Sequence, residues 1–506
     1  MRLVPTLGLV TPLLTTSVLA NNNISDACSA LFDSLSQRVA YPNSSSYDTC
    51  MSYWSARQSV QRPNCVVTPA TAQEVSVVLT TLIRHNSSFT FRSGGHTPHE
   101  NGSNIDEGVT VDLKRLNVIQ LSDNKTSVSV GAGLRWGDIS EVLDPHGLAV
   151  LGGRDADVGV AGLLLGGGFS YFSGRHGWAC DNVLGMEVVL ASGTIVYASA
   201  SQHQELFRAL KGGGGSSFGV VTRFDLATIK QGDLWTRTLL FAGQAKEAIA
   251  AAATTLITKG MNNDLDAHAY FVRTHQPNYG GFINIASFYH ATPPPAINAT
   301  AYATPPVFQT FDEIPGAFSN TSAVANLTAV SKSIETPYGQ RQAWSNVAFS
   351  AGSATVITEL ISLWEEAILK IVAQAAARGA TYSPFVIYQA ISSGQLKASK
   401  ERGENAMGLS PDHGPMVMMH FLSGWDDKGL DDLILQSTKE LVHVAEVKTQ
   451  KLCAHRKFVY MNYGGEWQDV LQRYGPGNYA RLLQTSLRYD PQRNLQRLWK
   501  GYYKLY

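Results

Sequence analysis

Gly152-Gly-Arg-Asp-Ala-Asp-Val-Gly-Val-Ala-Gly-Leu-Leu-Leu-Gly-Gly-Gly168 is the stretch of this chain that says most about its fold. Two shorter glycine clusters accompany it, Arg92-Ser-Gly-Gly-His96 before it and Gly212-Gly-Gly-Gly215 after it. Such loops expose backbone N–H groups in concave arrangements that bind phosphate oxygens. None of them is a Walker A loop, and none has a proper G-x-G-x-x-G between a strand and a helix. The three clusters together predict one extended ligand, a dinucleotide.

Short strands and short helices alternate around these clusters over the first 230 residues. The capping box Thr71-Ala-Gln-Glu74 predicts a helix that ends near Asn86. Further helices are predicted at 138–143 and 205–211, and strands at 89–92, 109–113, 127–130, 183–190, 194–197 and 218–224. This alternation is typical of an α+β domain whose glycines lie where the backbone turns or approaches a ligand.

The character of the sequence changes at about residue 232, where glycine clusters become rare and longer helical patterns appear at 355–377 and 430–447. A chain of 506 residues is also too long for one compact core. We therefore expect two domains. The predicted division is a signal peptide at 1–20, a loop-like leader at 21–60, a ligand-binding domain at 61–230, a second domain at 231–457 and a C-terminal segment at 458–506.

The charges exclude two classes of partner. Lys and Arg number 40, and Asp and Glu also number 40. Because the chain has no net charge, it has no strong field to attract nucleic acid or an anionic membrane. We expect neither partner.

The N-terminus indicates secretion. Arg2 precedes the apolar run 3–19, and Val18-Leu19-Ala20 is a small-x-small cleavage site. A membrane anchor is the alternative, but the run is short and contains Pro5 and Pro12. The glycosylation sequons N-x-S/T lie at Asn23, Asn43, Asn86, Asn101, Asn124, Asn298, Asn320 and Asn326. We expect a secreted, extracellular glycoprotein.

The five cysteines are Cys28, Cys50, Cys65, Cys180 and Cys453. An odd number leaves at least one thiol unpaired in an oxidising compartment. Spacing alone does not decide the pairing, and we predict a Cys28–Cys65 disulfide. The spacings match no zinc site, and we expect no bound metal.

Three segments in order resemble the FAD-binding signature of the vanillyl-alcohol oxidase / p-cresol methylhydroxylase (PCMH) superfamily. They are Arg92-Ser-Gly-Gly-His96, the stretch 152–168 and Gly174-Arg-His-Gly-Trp-Ala-Cys-Asp-Asn182. Tyr460-Met-Asn-Tyr463 is similar to the closing segment of the berberine-bridge-enzyme-like branch. The resemblance covers nearly the whole chain after residue 20. It implies a PCMH-type FAD-binding domain and a substrate domain with an antiparallel sheet backed by helices, and a tail from 458 that returns to the FAD domain.

The resemblance assigns a role to His96, because the histidine of R-S-G-G-H in this superfamily bonds covalently to the 8α-methyl group of the flavin. A neutral imidazole nitrogen is a competent nucleophile for that bond. An ordinary histidine in a turn is the alternative. The other positions that the resemblance assigns to FAD are Arg92, Ser93, Gly94, Gly95, Val158, Gly159, Val160, Gly162, Gly166, Gly167, Asp181, Asn182 and Val221.

One position departs from the pattern. Many relatives have a second covalent link, from a cysteine to flavin C6, and Asp155 stands where that cysteine would be. Cys180 lies in a later motif and does not replace it. We therefore expect a single link, through His96. Val158 matches the position that gates oxygen in the family, where valine goes with oxidase behaviour and leucine with dehydrogenase behaviour. The alternative is that Val158 belongs to the core.

The resemblance also implies where catalysis occurs. Asn462 and Tyr463 match residues on the substrate side of the flavin, and Tyr463 is the candidate base, with Tyr460 as a second candidate. An ordinary tyrosine has a pKa near 10 and needs a partner to act as a base at neutral pH. That partner is not evident from the sequence. His420 and Trp425 either face the substrate or belong to the core.

Together these features predict a secreted FAD-dependent oxidase. It would transfer a hydride from a small organic molecule, such as an alcohol or amine of specialised metabolism, to flavin N5, and then pass electrons to oxygen to give hydrogen peroxide. The alternatives are an oligosaccharide oxidase, a flavoprotein that guides a cyclisation without net redox turnover, and a catalytically silent FAD-binding protein.

Overall fold

The structure is a computed structural model and describes residues 25–298, 301–334 and 336–506. The predicted signal peptide and the sequon at Asn23 lie outside these ranges. The fold is α+β, as predicted, and the described residues form three β-sheets. The strands are β1 Val39–Ala40, β2 Cys65–Val67, β3 Phe89–Arg92, β4 Val109–Asp112, β5 Ile119–Leu121, β6 Ser127–Gly131, β7 Leu148–Val150, β8 Val183–Val189, β9 Ile195–Ser199, β10 Val220–Lys230, β11 Leu234–Ala242, β12 Ala267–Gln276, β13 Gly281–His290, β14 Ala317–Ala325, β15 Arg341–Ser350, β16 Tyr382–Ile391, β17 Met416–Trp425 and β18 His455–Arg456.

The helices connect and cover these sheets. They are α1 Asp26–Leu35, α2 Ser45–Cys50, α3 Ala56–Ser59, α4 Ala72–Arg84, α5 Trp136–Leu143, α6 Val160–Leu165, α7 Ser173–His176, α8 Gln204–Leu210, α9 Lys246–Thr255, α10 Met261–Asn263, α11 Leu327–Lys332, α12 Ala354–Ala377, α13 Ser393–Glu401, α14 Asp431–Lys451, α15 Pro476–Tyr489 and α16 Asn494–Leu498. None of these described helices is long and apolar enough to cross a membrane.

The first sheet has the strand order β1-β2-β4-β3, and its strands β2, β4 and β3 run parallel. Helix α4 links β2 to β3 and begins at the predicted cap, where the Thr71 side chain accepts a hydrogen bond from the Glu74 N–H. Its buried face includes Val75, Val78 and Leu82. Because ligands bind beyond the carboxyl ends of parallel strands, the loop that follows β3 is well placed to contact one.

The leader was expected to be loop-like, and that prediction is wrong, because residues 26–59 contain α1, α2 and α3. Helix α1 is capped by Ser25 and buries Ala27, Cys28 and Leu31. The predicted Cys28–Cys65 disulfide is present and joins α1 to β2. Tertiary contacts and this crosslink stabilise helices that are too short to be stable by propensity alone.

The second sheet is antiparallel, with the order β5-β6-β10-β8-β9, and β7 pairs with the far end of β10. The strand predicted at 218–224 is longer than expected, since β10 continues to Lys230. It does so because β6, β7 and β8 all pair with it along its length. Strand β10 is therefore stabilised by hydrogen bonds to strands that are distant in the sequence.

The third sheet has eight antiparallel strands in the order β14-β11-β13-β12-β16-β17-β15-β18. Alternate residues of a strand point to opposite faces of its sheet. On one face Phe271, Val417 and Met419 pack in a single apolar core with Ile357 and Trp364 of α12. The helices therefore cover this face, and the other face is left to line a site.

The C-terminal segment packs against the N-terminal part of the chain. Phe458, Val459 and Tyr460 belong to the same apolar core as the residues of the first two sheets. Trp499 forms a β-bridge with Phe89 of β3. The segment after β18 thereby brings its side chains beside the glycine clusters.

Candidate active site

One cavity of about 340 Å³ lies where the glycine clusters, the open face of the eight-stranded sheet and the C-terminal segment meet. The sequence-predicted residues that line it are Ser93, Gly94, Gly95, His96, Val158, Gly159, Gly162, Gly166, Val221, Tyr460, Asn462 and Tyr463. His420 of β17 lines it as well. The fold thus brings together segments from five separate regions of the sequence.

The glycine loops approach each other so closely that no side chain fits between them. A Cβ atom built on Gly94 would lie 2.5 Å from the Cα atom of Gly159. A Cβ atom on Gly166 would collide with the side chain of Asn462. Glycine is required here because backbone must contact backbone across the wall of the cavity.

The loop after β3 has backbone donors to offer a ligand. In the described part of the chain, no hydrogen bond uses the backbone N–H groups of Gly94, Gly95 or His96. Gly94 and Gly95 are buried, and buried N–H groups without a partner are rare in folded proteins. Unpaired donors in a glycine-lined cavity fit the phosphate oxygens of a dinucleotide such as FAD.

His96 is buried and uncharged. Its ring stacks on Trp54 with a centroid distance of 4.2 Å. Burial lowers the pKa of His96 from 6.5 to about 4, and the charge of Arg135 acts in the same direction. The neutral imidazole therefore keeps a lone pair at physiological pH.

Asp155 and Thr336 lie beside the same ring. The Thr336 hydroxyl is 3.3 Å from Nε2 of His96, and it donates a hydrogen bond of 3.1 Å to Oδ2 of Asp155. Burial raises the pKa of Asp155 above its usual value. This network faces Nε2 and orients the imidazole.

Tyr463 has the partner that the sequence does not reveal. Nη2 of Arg154 donates a hydrogen bond of 2.8 Å to the Tyr463 hydroxyl. Nη1 of the same guanidinium donates to Oε1 of Gln389 at 2.8 Å and to Nε2 of His268 at 3.1 Å. Burial acts to lower the pKa of Arg154, but neighbouring tyrosines outweigh it, Tyr463 most of all, and the pKa is raised overall. The cation therefore persists beside the phenol.

Tyr460 is in a different environment from Tyr463. Its hydroxyl accepts hydrogen bonds of 3.0 Å from the backbone N–H of Gly168 and from Nδ2 of Asn462. Burial raises the pKa of Tyr460 far above its usual value of 10. Nδ2 of Asn462 also donates to the carbonyl of Leu163. Both side chains hold the glycine-rich stretch 152–168 in place.

The eight-stranded sheet supplies aromatic side chains to the cavity. The ring of His420 stacks on Tyr463, with centroids 4.1 Å apart and planes 6° apart. Trp344 contacts both rings edge-on. Burial, and then the charge of Arg154, lower the pKa of His420 well below 6.5, so that its ring is neutral. These side chains border the cavity opposite the glycine loops.

Several predicted residues do not line the cavity, namely Arg92, Val160, Gly167, Asp181, Asn182 and Trp425. Arg92 instead donates to the carbonyls of Cys50 and Ser52. Asp181 accepts a hydrogen bond from the backbone N–H of Trp178, and Asn182 donates one to the backbone carbonyl of Trp178. Of the two possibilities left open for Trp425, the structure shows the core position, where its indole donates to Asp431.

Sequence reasoning missed Arg154, Tyr270, Trp344 and Thr336. Arg154 stands inside the glycine-rich stretch, beside the unusual Asp155, and this position was a usable signal. Tyr270 and Trp344 lie on strands of the eight-stranded sheet, where no local motif distinguishes the open face from the helix-covered one.

The sequence of this chain is similar to those of known FAD-dependent proteins. Residues 63–199 match the family described as FAD binding domain. The chain is 32% identical over 502 residues to the FAD-dependent monooxygenase tpcD of Cochliobolus heterostrophus, covering 95% of this chain and 94% of the relative.

Solved structures share the fold. The 6-hydroxy-D-nicotine oxidase of Arthrobacter nicotinovorans matches 91% of this chain and 97% of its own, with a TM-score of 0.72 at 21% identity. The glucooligosaccharide oxidase of Acremonium strictum, whose FAD is 6-S-cysteinyl and 8α-N1-histidyl, matches 95% of this chain and 98% of its own, with a TM-score of 0.71 at 15% identity. The protein is a FAD-linked oxidoreductase and belongs to the PCMH-type FAD-binding superfamily, the group that includes vanillyl-alcohol oxidase.

Proposed function

We propose that this enzyme carries FAD on one covalent bond to His96 and oxidises a small organic substrate at Tyr463, with oxygen as the final electron acceptor. The observation that carries the proposal is that a single cavity holds the neutral His96, the unpaired N–H groups of Gly94 and Gly95, and the Arg154–Tyr463 pair. A cofactor site and a catalytic base are thus adjacent.

The covalent bond is assigned to Nδ1 of His96. Nε2 faces Thr336 and Asp155, so it is the nitrogen that orients the ring. The glucooligosaccharide oxidase of similar fold has an 8α-N1-histidyl bond, which is the same nitrogen, and also a cysteinyl bond. Asp155 has no thiol to form a second bond, and Cys180 does not line the cavity. We therefore infer a single link.

Bound FAD supplies a ring that accepts a hydride from the substrate and passes two electrons to oxygen. Tyr463 takes the proton that leaves the substrate hydroxyl or amine as the C–H bond is broken. A phenolate is a poor species to bury, but a cation 2.8 Å from its oxygen stabilises the negative charge. Arg154 is thus the partner that lets Tyr463 act as a base.

Val158 lines the cavity, next to Gly159. A small side chain at this position leaves room for oxygen, which supports an oxidase. The monooxygenase name of the relative from Cochliobolus heterostrophus favours a second candidate function, insertion of one oxygen atom into the substrate. An oligosaccharide oxidase is less well supported, because the glucooligosaccharide oxidase of similar fold has a cysteinyl bond to FAD that Asp155 cannot form.

The first experiment tests the covalent bond. Purified wild type, His96→Ala and the control His176→Ala are precipitated with acid, and flavin fluorescence is measured in pellet and supernatant. His176 is a suitable control because it lies outside the cavity. We expect flavin in the pellet of wild type and control and in the supernatant of His96→Ala. Flavin in the wild-type supernatant would contradict the covalent assignment, and flavin in all three pellets would contradict the single link.

The second experiment separates the reactions. Oxygen uptake, hydrogen peroxide release and incorporation of ¹⁸O from ¹⁸O₂ into product are measured over alcohols, phenolics and oligosaccharides. An oxidase releases one peroxide for each oxygen consumed and incorporates no ¹⁸O. Incorporation of one ¹⁸O atom per turnover would identify a monooxygenase. A cyclised product without oxygen uptake would identify the redox-neutral alternative.

We further propose that the protein is secreted and glycosylated, and that the chain divides near residue 230. Exposed sequon asparagines support glycosylation, namely Asn43, Asn86, Asn124, Asn320 and Asn326. The gap between β10, which ends at Lys230, and β11, which begins at Leu234, supports the division. Enzymatic removal of N-glycans should reduce the apparent mass of protein from culture medium, and its N-terminus should lie near Asn21.

A further inference from the structure

Arg154 is a partly buried cation without an acidic partner among the described residues. No Asp or Glu in the described ranges lies within ion-pair distance of its guanidinium. Other buried arginines of the chain do have one, since Arg273 pairs with Glu365 and Arg341 pairs with Asp431. A buried charge without a counter-ion is costly, and such charges are normally paired. Its position in the cavity wall points to a partner that is not part of the chain.

The guanidinium also has donors to spare. It has five N–H bonds. Three of them donate to Tyr463, Gln389 and His268, all of which are uncharged acceptors. No further hydrogen bond of this side chain occurs within the described part of the protein. Its remaining N–H donors are available to a ligand, which would share the cation with the Tyr463 hydroxyl.

A second observation concerns His420 of β17, which lines the same cavity. Nε2 of His420 is buried and has no hydrogen-bond partner among the described residues, although the ring lines the cavity. The side chain is 3% exposed. Buried polar atoms without a partner are rare and mark places where a ligand or water completes the network. The neutral ring carries one N–H, and with that proton on Nε2 it would donate to an anionic or carbonyl oxygen.

Between these polar groups the cavity is flat and aromatic. Tyr270 lies under Arg154, with 5.2 Å from the guanidinium carbon to the ring centroid, and Phe169 lies at 5.8 Å. Tyr463 and Trp344 complete this wall. Such walls pack against planar rings by stacking and edge-to-face contact.

From this arrangement we infer that the substrate is a planar aromatic compound with an acidic oxygen, either a carboxylate or a phenolate, which pairs with Arg154 and receives a hydrogen bond from His420. The inference rests on the proposed function, since it takes this end of the cavity as the substrate chamber. A neutral sugar would leave the charge of Arg154 uncompensated, and a cationic amine would be repelled by it. The charge of Arg154 in this aromatic site would thus select an anionic substrate over a neutral or cationic one.

The test uses the flavin-loaded protein and two matched pairs of probes. Benzoate is compared with benzamide, and 4-nitrophenolate with 4-nitroanisole, by isothermal titration calorimetry. Within each pair the ring is kept and only the charge is removed. We expect wild type to bind at least one anion about tenfold or more tightly than its neutral partner. The carboxylate and phenolate arms distinguish the two forms of acidic oxygen.

Variants then locate the effect. Arg154→Met should abolish the preference, Arg154→Lys should keep part of it, and His420→Phe should weaken both members of each pair. Arg175→Met is the control, because Arg175 is half-exposed and pairs with Asp266 outside the cavity. Flavin content and circular dichroism confirm that each variant is folded. If Arg154→Met does not fold, the Arg154→Lys protein and the wild-type ratio still decide the question.

Equal binding of charged and neutral probes by flavin-loaded wild type would overturn the inference. In that case the charge of Arg154 serves the cofactor and not the substrate. A preference for anions that survives in both Arg154 variants would overturn it as well. Failure of the proposed function has a different signature, namely wild-type protein that contains no flavin or that consumes no oxygen with any substrate.

Discussion

Arg154 and Tyr463 are 309 residues apart in the sequence, and the guanidinium of one donates a hydrogen bond of 2.8 Å to the phenol oxygen of the other. This contact joins the glycine-rich stretch to the C-terminal segment. It gives a tyrosine in a half-buried site a permanent positive neighbour. The chemistry proposed for the enzyme depends on this one relationship more than on any other.

Replacement of Tyr463 by Phe removes the hydroxyl and keeps the ring that stacks on His420. If Tyr463 is the base, kcat/KM for the substrate found in the oxygen-uptake screen should fall by about 100-fold or more, with flavin content unchanged. Tyr382→Phe is the control, because Tyr382 is partly buried on β16 outside the cavity. A Tyr463→Phe enzyme with wild-type kcat/KM would show that another group takes the proton.

The contact between Gly94 and Gly159 predicts a selective loss of the cofactor. Gly159→Ala places a methyl group against the backbone of Gly94, and neither backbone can move without opening the wall of the cavity. We expect the flavin-to-protein absorbance ratio to fall by about tenfold or more, since overpacking of this kind costs about 1–3 kcal/mol. Gly352→Ala is the matched control, because its Cβ atom would meet nothing within 4 Å. Full flavin occupancy in Gly159→Ala would contradict the tight contact.

Buried histidines predict loss of stability in mild acid. Burial, followed by the charge of Arg154, lowers the pKa values of His268 and His420 well below 6.5. Below pH 6.5 the unfolded chain therefore binds more protons than the folded one, so stability falls as the pH falls. Each histidine contributes at most about 1.4 kcal/mol per pH unit.

The measurement is Tm for wild type and His268→Gln between about pH 7 and about pH 5.5, where most carboxylates stay ionised. We expect Tm to decrease with acidification in wild type and to decrease less steeply in the variant. Only the slopes are compared, because the substitution also changes Tm at neutral pH. Identical slopes would mean that His268 does not titrate on unfolding.

The cysteines differ in exposure, so their thiols should react with a thiol reagent at different rates. Cys453 is exposed, Cys50 and Cys180 are buried, and Cys28 and Cys65 form the disulfide. Burial also raises the pKa of the Cys180 thiol. With Ellman's reagent the native protein should show one fast thiol, at least about tenfold faster than any other, since reactivity follows access and thiolate content.

Unfolding without a reductant should then release three thiols, and Cys453→Ser should lose the fast one. Five reactive thiols in the unfolded, unreduced protein would exclude the disulfide. Two fast thiols in the native state would place Cys50 or Cys180 at the surface.

Much of this protein was determined by local sequence. The helix α4 begins at its capping box, the strand β3 runs from Phe89 to Arg92 as predicted, and the glycines fall where backbones touch. These features depend on the conformational preferences of a few consecutive residues, so the local sequence is enough to predict them. The position of His96, shortly after a strand and directly after two glycines, is likewise local.

The tertiary structure alone decided which side chains meet in the cavity. Arg154 finds Tyr463, His268 and Gln389 because the eight-stranded sheet and the C-terminal segment both fold back over the glycine loops. The helices cover one face of the eight-stranded sheet, and side chains on its other face line the cavity. His420 is on the uncovered face, whereas its neighbour Met419 is in the core beneath the helices. The long-range packing of apolar faces makes that choice, so it has no signature in the residues around each site.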